Sequence, residues 1–243
     1  MNIYETPKLL GEYLLFHYGK DEEVLPWSFG PKDALGFAVR TVTELLDRDI
    51  VPAKSRALDL GCAVGRSCYE LASVAQEVIG IDYSNAFVMA AETLRLEGRM
   101  GYLRHDEADA CTELVALRPQ TGLEDRVSFE QGDAMNLRDD LGSFDIVHAA
   151  NLLCRLTEPQ RLLKRLPDLV KPGGQLLLTT PCTWLAEFTP PSNWPQGSTF
   201  DWLKNELSEH FTLSDRVDLP FLIREHARKF QWSVALGTRW VRK

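Results

Sequence analysis

The sequence has 243 residues, an apolar fraction of 44% and a formal net charge of −8. These values are typical of one globular domain, and the negative charge argues against nucleic acid as the main partner. No segment approaches the roughly 20 apolar residues that span a bilayer, and residues 1–5 lack the start of a signal peptide. We therefore expect a cytoplasmic protein with no membrane partner. The five cysteines form no CxxC pair and the five histidines are scattered, so no metal site is predicted.

The chain begins with a predicted N-terminal helical cap over residues 1–50. Apolar side chains recur at helical spacing over 9–17, a loop follows over 21–31, and a second helix is predicted over about 32–47. From Arg56 onward, short apolar segments alternate with helical ones, which predicts an α/β fold with a mostly parallel sheet and helices on both faces. The predicted strands cover residues 57–60, 78–81, 127–130, 144–150, 175–180, 211–217 and 231–241. The helices between them are predicted to end near residue 74 and to cover about 86–96 and 157–170.

Two stretches interrupt this alternation. Residues 98–126 are rich in charge and predict a solvated surface insertion, and the Pro/Trp-rich segment 181–199 predicts an active-site loop. An irregular connection is predicted over 218–230, between the last two strands. No repeat or linker divides the chain, so residues 1–243 are predicted to form a single domain with a Rossmann-like core over 51–243.

A glycine-containing turn follows the first predicted strand. The segment 58–66 reads Leu-Asp-Leu-Gly-Cys-Ala-Val-Gly-Arg, and Gly61 and Gly65 permit a sharp turn and close approach of a ligand to the backbone. The helix that follows offers free N–H groups to an anionic group such as a carboxylate. The spacing differs from GxGxxG, so a nicotinamide dinucleotide is disfavoured. Asp59 would face a phosphate poorly but suits a cationic amine.

Two further acidic residues follow predicted strands. Asp82 ends the second strand and can accept hydrogen bonds from both hydroxyls of a ribose, and Asp133 can accept one from an adenine amine. Because the carboxyl ends of neighbouring parallel strands line one crevice, these residues and the glycine turn predict a site for S-adenosylmethionine (SAM), which leaves as S-adenosylhomocysteine. The predicted cofactor-binding residues are Asp59, Gly61, Cys62, Ala63, Gly65, Asp82, Tyr83, Asp133, Ala134 and Asn151.

The combination of Asp59, the glycine turn, Asp82 and the Gly-Asp-Ala run at 132–134 resembles class I SAM-dependent methyltransferases. The resemblance implies a Rossmann-like fold whose seven-stranded, mostly parallel sheet has an antiparallel last strand. The family's usual central glycine is replaced by Ala63. We expect this replacement to leave the cofactor unchanged.

A narrower resemblance covers segments outside that core. Residues 13–19, 183–194 and 224–232 resemble the methyltransferase of the ovothiol pathway, whose domain often follows an iron-dependent sulfoxide synthase. The resemblance implies methylation of the imidazole Nπ of 5-thiohistidine (4-mercaptohistidine) to give ovothiol A. Because no synthase segment precedes the domain in this sequence, we expect a standalone form with a functional link to such a synthase.

The same resemblance places these segments at the substrate. A zwitterionic amino acid needs a cation for its carboxylate and an anion for its amine, and aromatic side chains can wall its ring. The predicted substrate-binding residues are His17, Tyr18, Trp184, Glu187, Phe188, Arg224, Glu225, His226 and Arg228. The predicted catalytic residues are Asn151, Tyr18 and His226. Asn151 is assigned either to the cofactor amine or to the imidazole, and a dedicated base is not required.

Two other functions stay open at this point. The chain can be a methyltransferase of another small amine, thiol or carboxylate. It can also be a non-catalytic SAM-binding partner of a sulfoxide synthase.

Overall fold

The computed structural model describes residues 3–119 and 122–243, so the predictions for residues 1–2 and 120–121 lie outside the described residues. The α-helices are α1 (Pro7–Tyr18), α2 (Asp21–Val24), α3 (Phe37–Thr43), α4 (Arg66–Ala72), α5 (Asn85–Glu97), α6 (Pro159–Leu169) and α7 (Thr199–Leu207). The strands are β1 (Arg56–Leu60), β2 (Glu77–Asp82), β3 (Arg99–Glu107), β4 (Ala110–Leu117), β5 (Val127–Gln131), β6 (Phe144–Ala150), β7 (Val170–Thr180), β8 (Phe211–His226) and β9 (Lys229–Arg242). Among these helices, none has the length and apolar character needed to cross a bilayer.

The main sheet of the described residues has seven strands in the order β5-β2-β1-β6-β7-β9-β8. Neighbours from β5 to β7 run parallel, whereas β9 runs antiparallel to both β7 and β8. This arrangement confirms the predicted mostly parallel sheet with an antiparallel last strand. The carboxyl ends of the parallel strands, at Leu60, Asp82, Gln131, Ala150 and Thr180, therefore lie along one edge, which we call the carboxyl edge.

Helices cover both faces of the sheet. Since successive residues of a strand point to opposite faces, each strand contributes side chains to both helix layers. On β7, Leu176 and Leu178 pack into a core cluster with residues of α6 and α7. The intervening Leu177 packs into a second cluster with residues of α3 and α4. All three leucines are 0% exposed. Burial on both faces explains why the β7 segment is a continuous apolar run rather than an alternating one.

The helical cap is more broken than predicted. The expected loop over 21–31 contains the short helix α2, and the expected helix over 32–47 is divided into a 3-10 turn (Lys32–Ala34) and α3. Gly36 separates these two pieces with a φ of 66°. An L-residue rarely adopts this left-handed conformation, and the backbone cannot continue a helix through it.

The segment 98–126 lies outside the main sheet and is mostly exposed, as a surface insertion would be, but it is more regular than expected. Its strands β3 and β4 form an antiparallel hairpin, which we call the insertion hairpin. Tyr102 and Ala116 face the cap and pack with residues of α1, including Leu14. The alternate positions of both strands face away from the cap and mix charged side chains with exposed apolar ones, including Leu103, Val115 and Leu117.

The predicted irregular connection over 218–230 is wrong, because β8 and β9 continue through it. They pair from Phe211↔Arg242 to His226↔Lys229 and form one long hairpin, which we call the terminal hairpin. Its turn, at residues 227–228, extends past the carboxyl edge, since Thr180 of β7 pairs with Leu236 of β9.

We expect Gly11→Ala to destabilise the fold by about 1–3 kcal/mol, because the added methyl would overlap the Leu103 carbonyl oxygen of the insertion hairpin. Helix propensity alone would favour alanine at this position, so a loss reports the contact between α1 and β3. Urea unfolding measures it. The matched control is Gly101→Ala on β3, where the methyl meets nothing within 4 Å. Equal stability of the two variants would contradict the packed hairpin.

Candidate active site

The glycine turn between β1 and α4 adopts left-handed backbone conformations at alternate residues. The φ angles are 69° at Gly61, 49° at Ala63 and 83° at Gly65. The angle at Ala63 explains why glycine is usual at this position, since a Cβ costs roughly 1–2 kcal/mol there. At Gly65 a Cβ would also lie 2.5 Å from the Phe129 ring. Backbone angle and packing therefore both require glycine at position 65.

Asp82 connects the end of β2 to this turn. Its Oδ2 accepts a hydrogen bond from Ala63 N–H at 2.8 Å, and its Oδ1 accepts one from Ser84 N–H at 2.8 Å. Burial raises the pKa of the carboxyl to about 6, although both hydrogen bonds act in the opposite direction. Each oxygen retains a lone pair for a ligand. A pair of ribose hydroxyls fits this arrangement.

Two neighbouring strand ends extend the site. Asp133 follows β5, and its Oδ1 accepts from Met135 N–H at 2.8 Å, which leaves the other oxygen for a ligand such as an adenine amine. Ala134, beside it, is buried with 9% exposure. Tyr83 follows β2, and its side chain is 65% exposed. The Tyr83 ring can cover one face of a base in this position. The geometry thus suits the cofactor roles of Asp133, Ala134 and Tyr83, which stay predictions.

The predicted contact between Asp59 and a cofactor amine is not supported, because the Asp59 side chain is 1% exposed. Its Oδ1 lies 2.7 Å from His148 Nδ1, and its Oδ2 accepts from Ser67 Oγ at 2.6 Å and from Cys68 Sγ at 3.2 Å. Burial alone would raise the pKa of Asp59, but His148 and these hydrogen bonds hold it below its usual range. Asp59 therefore supports the turn from beneath.

His148 is a residue that sequence reasoning missed. It lies on β6 with a fully buried side chain, and its Nε2 is 3.1 Å from Thr41 Oγ1 on α3. The Thr41 hydroxyl also donates to the Ala38 carbonyl at 3.2 Å. A chain of hydrogen bonds thus joins the cap to the glycine turn. The continuous apolar run of β6 could have indicated that His148 is buried, but nothing in the sequence indicates its partner.

The side chain of Cys62 faces the protein interior and is 1% exposed. Burial raises the pKa of its thiol to about 11. Only the backbone of Cys62 can therefore meet a ligand.

Asn151 follows β6 at the carboxyl edge with a φ of 53°, a left-handed conformation that is uncommon outside glycine. Thr179 Oγ1 accepts from Asn151 N–H at 3.1 Å and donates to Asn151 Oδ1 at 3.0 Å. These bonds orient the amide and leave Nδ2 without a partner among the described residues. Strained, well-held backbone of this kind is typical of functional positions.

The cap lies over the carboxyl edge, and the structure corrects the role of Tyr18. Its hydroxyl donates to the Val64 carbonyl at 2.8 Å, so it holds α1 against the glycine turn rather than acting on a substrate. His17 lies one residue earlier. Its Nδ1 is buried without a hydrogen-bond partner in the described chain, and burial lowers its pKa to about 3. The neutral ring can accept a hydrogen bond from a ligand.

The start of the chain contributes aromatic residues that sequence reasoning also missed. Glu5 accepts hydrogen bonds from Asn85 N–H at 2.9 Å and Ala86 N–H at 3.2 Å, at the beginning of α5. This contact fixes Tyr4, whose ring lies 6.0 Å from Tyr13 and 6.4 Å from Phe188. The three rings form an aromatic wall near Asp82, whose charge acts on both tyrosines.

Hydrogen bonds hold the loop over 181–199 in place. Trp184 Nε1 donates to Thr199 Oγ1 at 2.9 Å and its ring packs edge-on against Trp202, so its predicted contact with the substrate ring is not supported. Thr189 Oγ1 donates to the Leu156 carbonyl at 2.7 Å. These bonds leave Phe188 at the site, with the Arg155 guanidinium 4.4 Å from its ring centre.

Glu187 of the same loop is exposed. It forms no ion pair with any described residue. The structure therefore leaves its predicted contact with a substrate amine untested.

The terminal hairpin does not bring its predicted substrate residues to the crevice. Arg224 is 5% exposed, and its guanidinium binds the Glu23 carbonyl at 2.9 Å and the Asp106 carboxylate at 3.0 Å. A substrate carboxylate would have to displace both partners. The structure thus assigns Arg224 to joining the terminal hairpin, the insertion hairpin and α2.

The other predicted substrate-binding residues of the terminal hairpin lie at or beside its turn: Glu225, His226 and Arg228. Glu225 pairs with Lys229 at 2.6 Å, and Arg228 is exposed. His226 packs its ring against His105 of the insertion hairpin, with 6.1 Å between ring centres. Among the described residues, none of the three contacts Asp82, Asn151 or Arg155. The catalytic role predicted for His226 therefore has no geometric support.

The order of the sheet, the glycine turn and the carboxylates at the strand ends define a Rossmann-like fold that binds a nucleoside cofactor. Residues 32–226 match the family model described as "Methyltransferase domain". The chain belongs to this family, and SAM is the cofactor of its fold. Asp82, with two free acceptor positions beside the turn, fits the ribose of SAM.

Similar proteins agree with this family. Methyltransferase GfsG of Streptomyces halstedii is 29% identical over 164 residues, covering 67% of this chain and 49% of that protein. The ubiquinone biosynthesis O-methyltransferase of Xanthomonas axonopodis pv. citri is 26% identical over 151 residues, covering 62% of this chain and 53% of that protein. The chain therefore spans about half the length of these curated relatives.

A solved structure shows the same fold. N-methyltransferase NodS of Bradyrhizobium japonicum WM9, in complex with S-adenosylhomocysteine, superposes with a TM-score of 0.54 at 16% identity. The match covers 96% of this chain and 98% of that one.

Proposed function

We propose that this chain transfers a methyl group from SAM to the imidazole Nπ of 5-thiohistidine. One observation carries the proposal furthest. Two of the segments that resemble the ovothiol-pathway enzyme, 13–19 and 183–194, supply Tyr13 and Phe188 to the aromatic wall at the carboxyl edge. An aromatic wall suits a flat heteroaromatic ring.

Bound SAM supplies an electrophilic methyl group. The residues that we propose to hold it are Asp82 at the ribose, Asp133 and Tyr83 at the adenine, and the backbone of the turn over 61–65. The N–H groups at the start of α4 suit its carboxylate. The unpartnered Nδ1 of neutral His17 is suited to accept from its amine.

The acceptor needs little chemical help from the protein. A neutral imidazole nitrogen is already a nucleophile, so catalysis rests on holding it in line with the methyl group and excluding water. Asn151 Nδ2 is suited to donate a hydrogen bond to the bound substrate. The hydrogen bond from Thr179 fixes the orientation of the Asn151 amide. Tyr4 and Phe188 exclude water from one side. We therefore place no general base in the reaction.

Methylation of a different small molecule is the second candidate. The relatives include enzymes named for O-methylation in ubiquinone biosynthesis. The match to the Xanthomonas enzyme covers 62% of this chain. A phenol or another oxygen acceptor would need a base near its hydroxyl. The third candidate, a SAM-binding partner of a sulfoxide synthase without activity of its own, requires no acceptor.

The test is to incubate the protein with SAM and 5-thiohistidine and to look for a gain of 14 daltons by mass spectrometry. NMR of the product then distinguishes Nπ from Nτ. Histidine, ergothioneine precursors and phenols serve as competing acceptors. Methylation of another panel member, with 5-thiohistidine unchanged, would contradict the proposed acceptor. A chain that binds SAM, methylates nothing and stimulates an iron-dependent sulfoxide synthase would instead support the partner role.

A further inference from the structure

Arg155 is a partly buried cation whose guanidinium has no hydrogen-bond or ion-pair partner among the described residues. Its Nη1 is buried and makes no hydrogen bond, and its guanidinium forms no ion pair with any residue over 3–119 or 122–243. The Arg224 guanidinium, by comparison, donates hydrogen bonds to both a carbonyl and a carboxylate. A shielded charge without a counterpart is costly unless a ligand supplies one.

The position of Arg155 ties it to the site. It ends the 3-10 turn Leu153–Arg155, which begins two positions after Asn151. Phe188 lies on one side, with 4.4 Å between its ring centre and the guanidinium carbon. The charge of Arg155 also acts to lower the pKa of the Tyr4 and Tyr13 hydroxyls, so the guanidinium lies near the aromatic wall.

The surroundings keep the guanidinium in place. The Thr189 hydroxyl binds the Leu156 carbonyl at 2.7 Å, and Asn193 Nδ2 donates to the Thr157 carbonyl at 2.8 Å. These bonds attach the 181–199 loop to the segment that carries Arg155. A guanidinium presents its N–H groups in a planar fork that matches a carboxylate, and stacking on Phe188 limits the orientations that this plane can take.

We propose that Arg155 binds the carboxylate of the acceptor, which makes the substrate class an α-amino acid or a similar carboxylate. The choice of the acceptor as the source of this carboxylate rests on the proposed function. SAM also carries a carboxylate, but the helix N-terminus suited to it is that of α4, after the glycine turn. Arg155 instead follows Asn151 and stacks on Phe188. Arg155 thus takes the role that the sequence predicted for Arg224 and Arg228.

The test compares each acceptor with its decarboxylated amine, beginning with 5-thiohistidine and 5-thiohistamine. Wild type is expected to prefer the carboxylate-bearing acceptor in kcat/KM. In Arg155→Gln, the KM of that acceptor should rise 10- to 100-fold, the KM of the amine should change less than threefold, and the Kd of SAM should stay within twofold. Arg155→Lys should restore part of the preference. Arg99→Gln, which removes an exposed arginine of the insertion hairpin, is the matched control.

The outcomes separate the two proposals. If 5-thiohistidine is inert but another carboxylate-bearing acceptor loses its preference in Arg155→Gln, the proposed function fails and the role of Arg155 stands. A rise in the Kd of SAM that matches the rise in acceptor KM would assign Arg155 to the cofactor carboxylate and overturn the proposal. An unchanged preference, with or without a loss of stability, would make Arg155 a packing residue and overturn it as well.

Discussion

Replacing Asp82 with alanine is expected to weaken SAM binding at least tenfold, as measured by isothermal titration calorimetry. The variant removes acceptors for two ribose hydroxyls and also releases the Ala63 N–H of the glycine turn. Loss of hydrogen bonds to a charged group costs about 1.5–3 kcal/mol each, and tenfold corresponds to about 1.4 kcal/mol. Asp109→Ala makes the same change in charge at an exposed position beside the insertion-hairpin turn, and its SAM affinity should equal that of wild type.

The pH dependence of binding provides a second measurement on the same residue. The pKa of Asp82 is raised to about 6, mainly by burial, and the ionised form is the better acceptor for hydroxyls. The SAM affinity of wild type should therefore fall as the pH is lowered through about 6. Asp82→Asn should bind weakly at every pH, without this step. An affinity in wild type that is constant across this range would contradict the assignment of Asp82 to the ribose.

Stability helps to separate lost binding from unfolding. The folded-state pKa of Asp82 lies above the unfolded value of about 3.9. Its contribution to stability is therefore fully present below about pH 4 and is lost as the pH rises through about 6. At pH 8, replacing Asp82 with asparagine removes the free-energy cost of the buried charge. Asparagine also has only one acceptor oxygen for the two N–H groups of Ala63 and Ser84. Asp82→Asn should consequently remain folded at pH 8.

Replacing His148 with leucine is expected to lower the free energy of unfolding by about 3–5 kcal/mol, measured by urea denaturation at neutral pH. Removing the partner of a buried carboxylate leaves its charge uncompensated, and the Asp59 and His148 side chains are 1% and 0% exposed. Ser67 and Cys68 would be the remaining hydrogen-bond partners of the Asp59 carboxylate. Because Asp59 supports the glycine turn, SAM affinity should also decline.

A double variant tests the physical reason. Asp59→Asn combined with His148→Leu removes the charge that His148→Leu leaves behind, so it should be more stable than the single variant His148→Leu. Residues in direct contact are expected to show such coupling. His148→Gln, which keeps a donor toward Asp59, should lose less stability than His148→Leu. A loss below about 1 kcal/mol in His148→Leu would show that the pair contributes little to the fold.

The sequence predicted more of the cofactor site than of the substrate site. The glycine turn, Asp82 and Asp133 lie at the ends of short apolar strands, and strand ends can be read from local periodicity. Parallel pairing then places those ends on one edge whatever the rest of the chain does. The sequence contained the polar residues of the substrate site too, but it could not show which of them reach that edge.

By itself, the sequence determined the α/β class, the order of the core elements along the chain and the strand ends where we propose that the cofactor binds, because these depend on contacts between near neighbours and on the geometry of parallel strands. Only the tertiary structure decided the partners of long polar side chains. Asp59 pairs with His148, 89 positions away, and Arg224 binds Asp106, 118 positions away. Such pairings depend on how distant elements pack, and no local pattern records them. For the same reason, spacing alone could not show that Arg155 lies beside Phe188 without an ion-pair partner among the described residues.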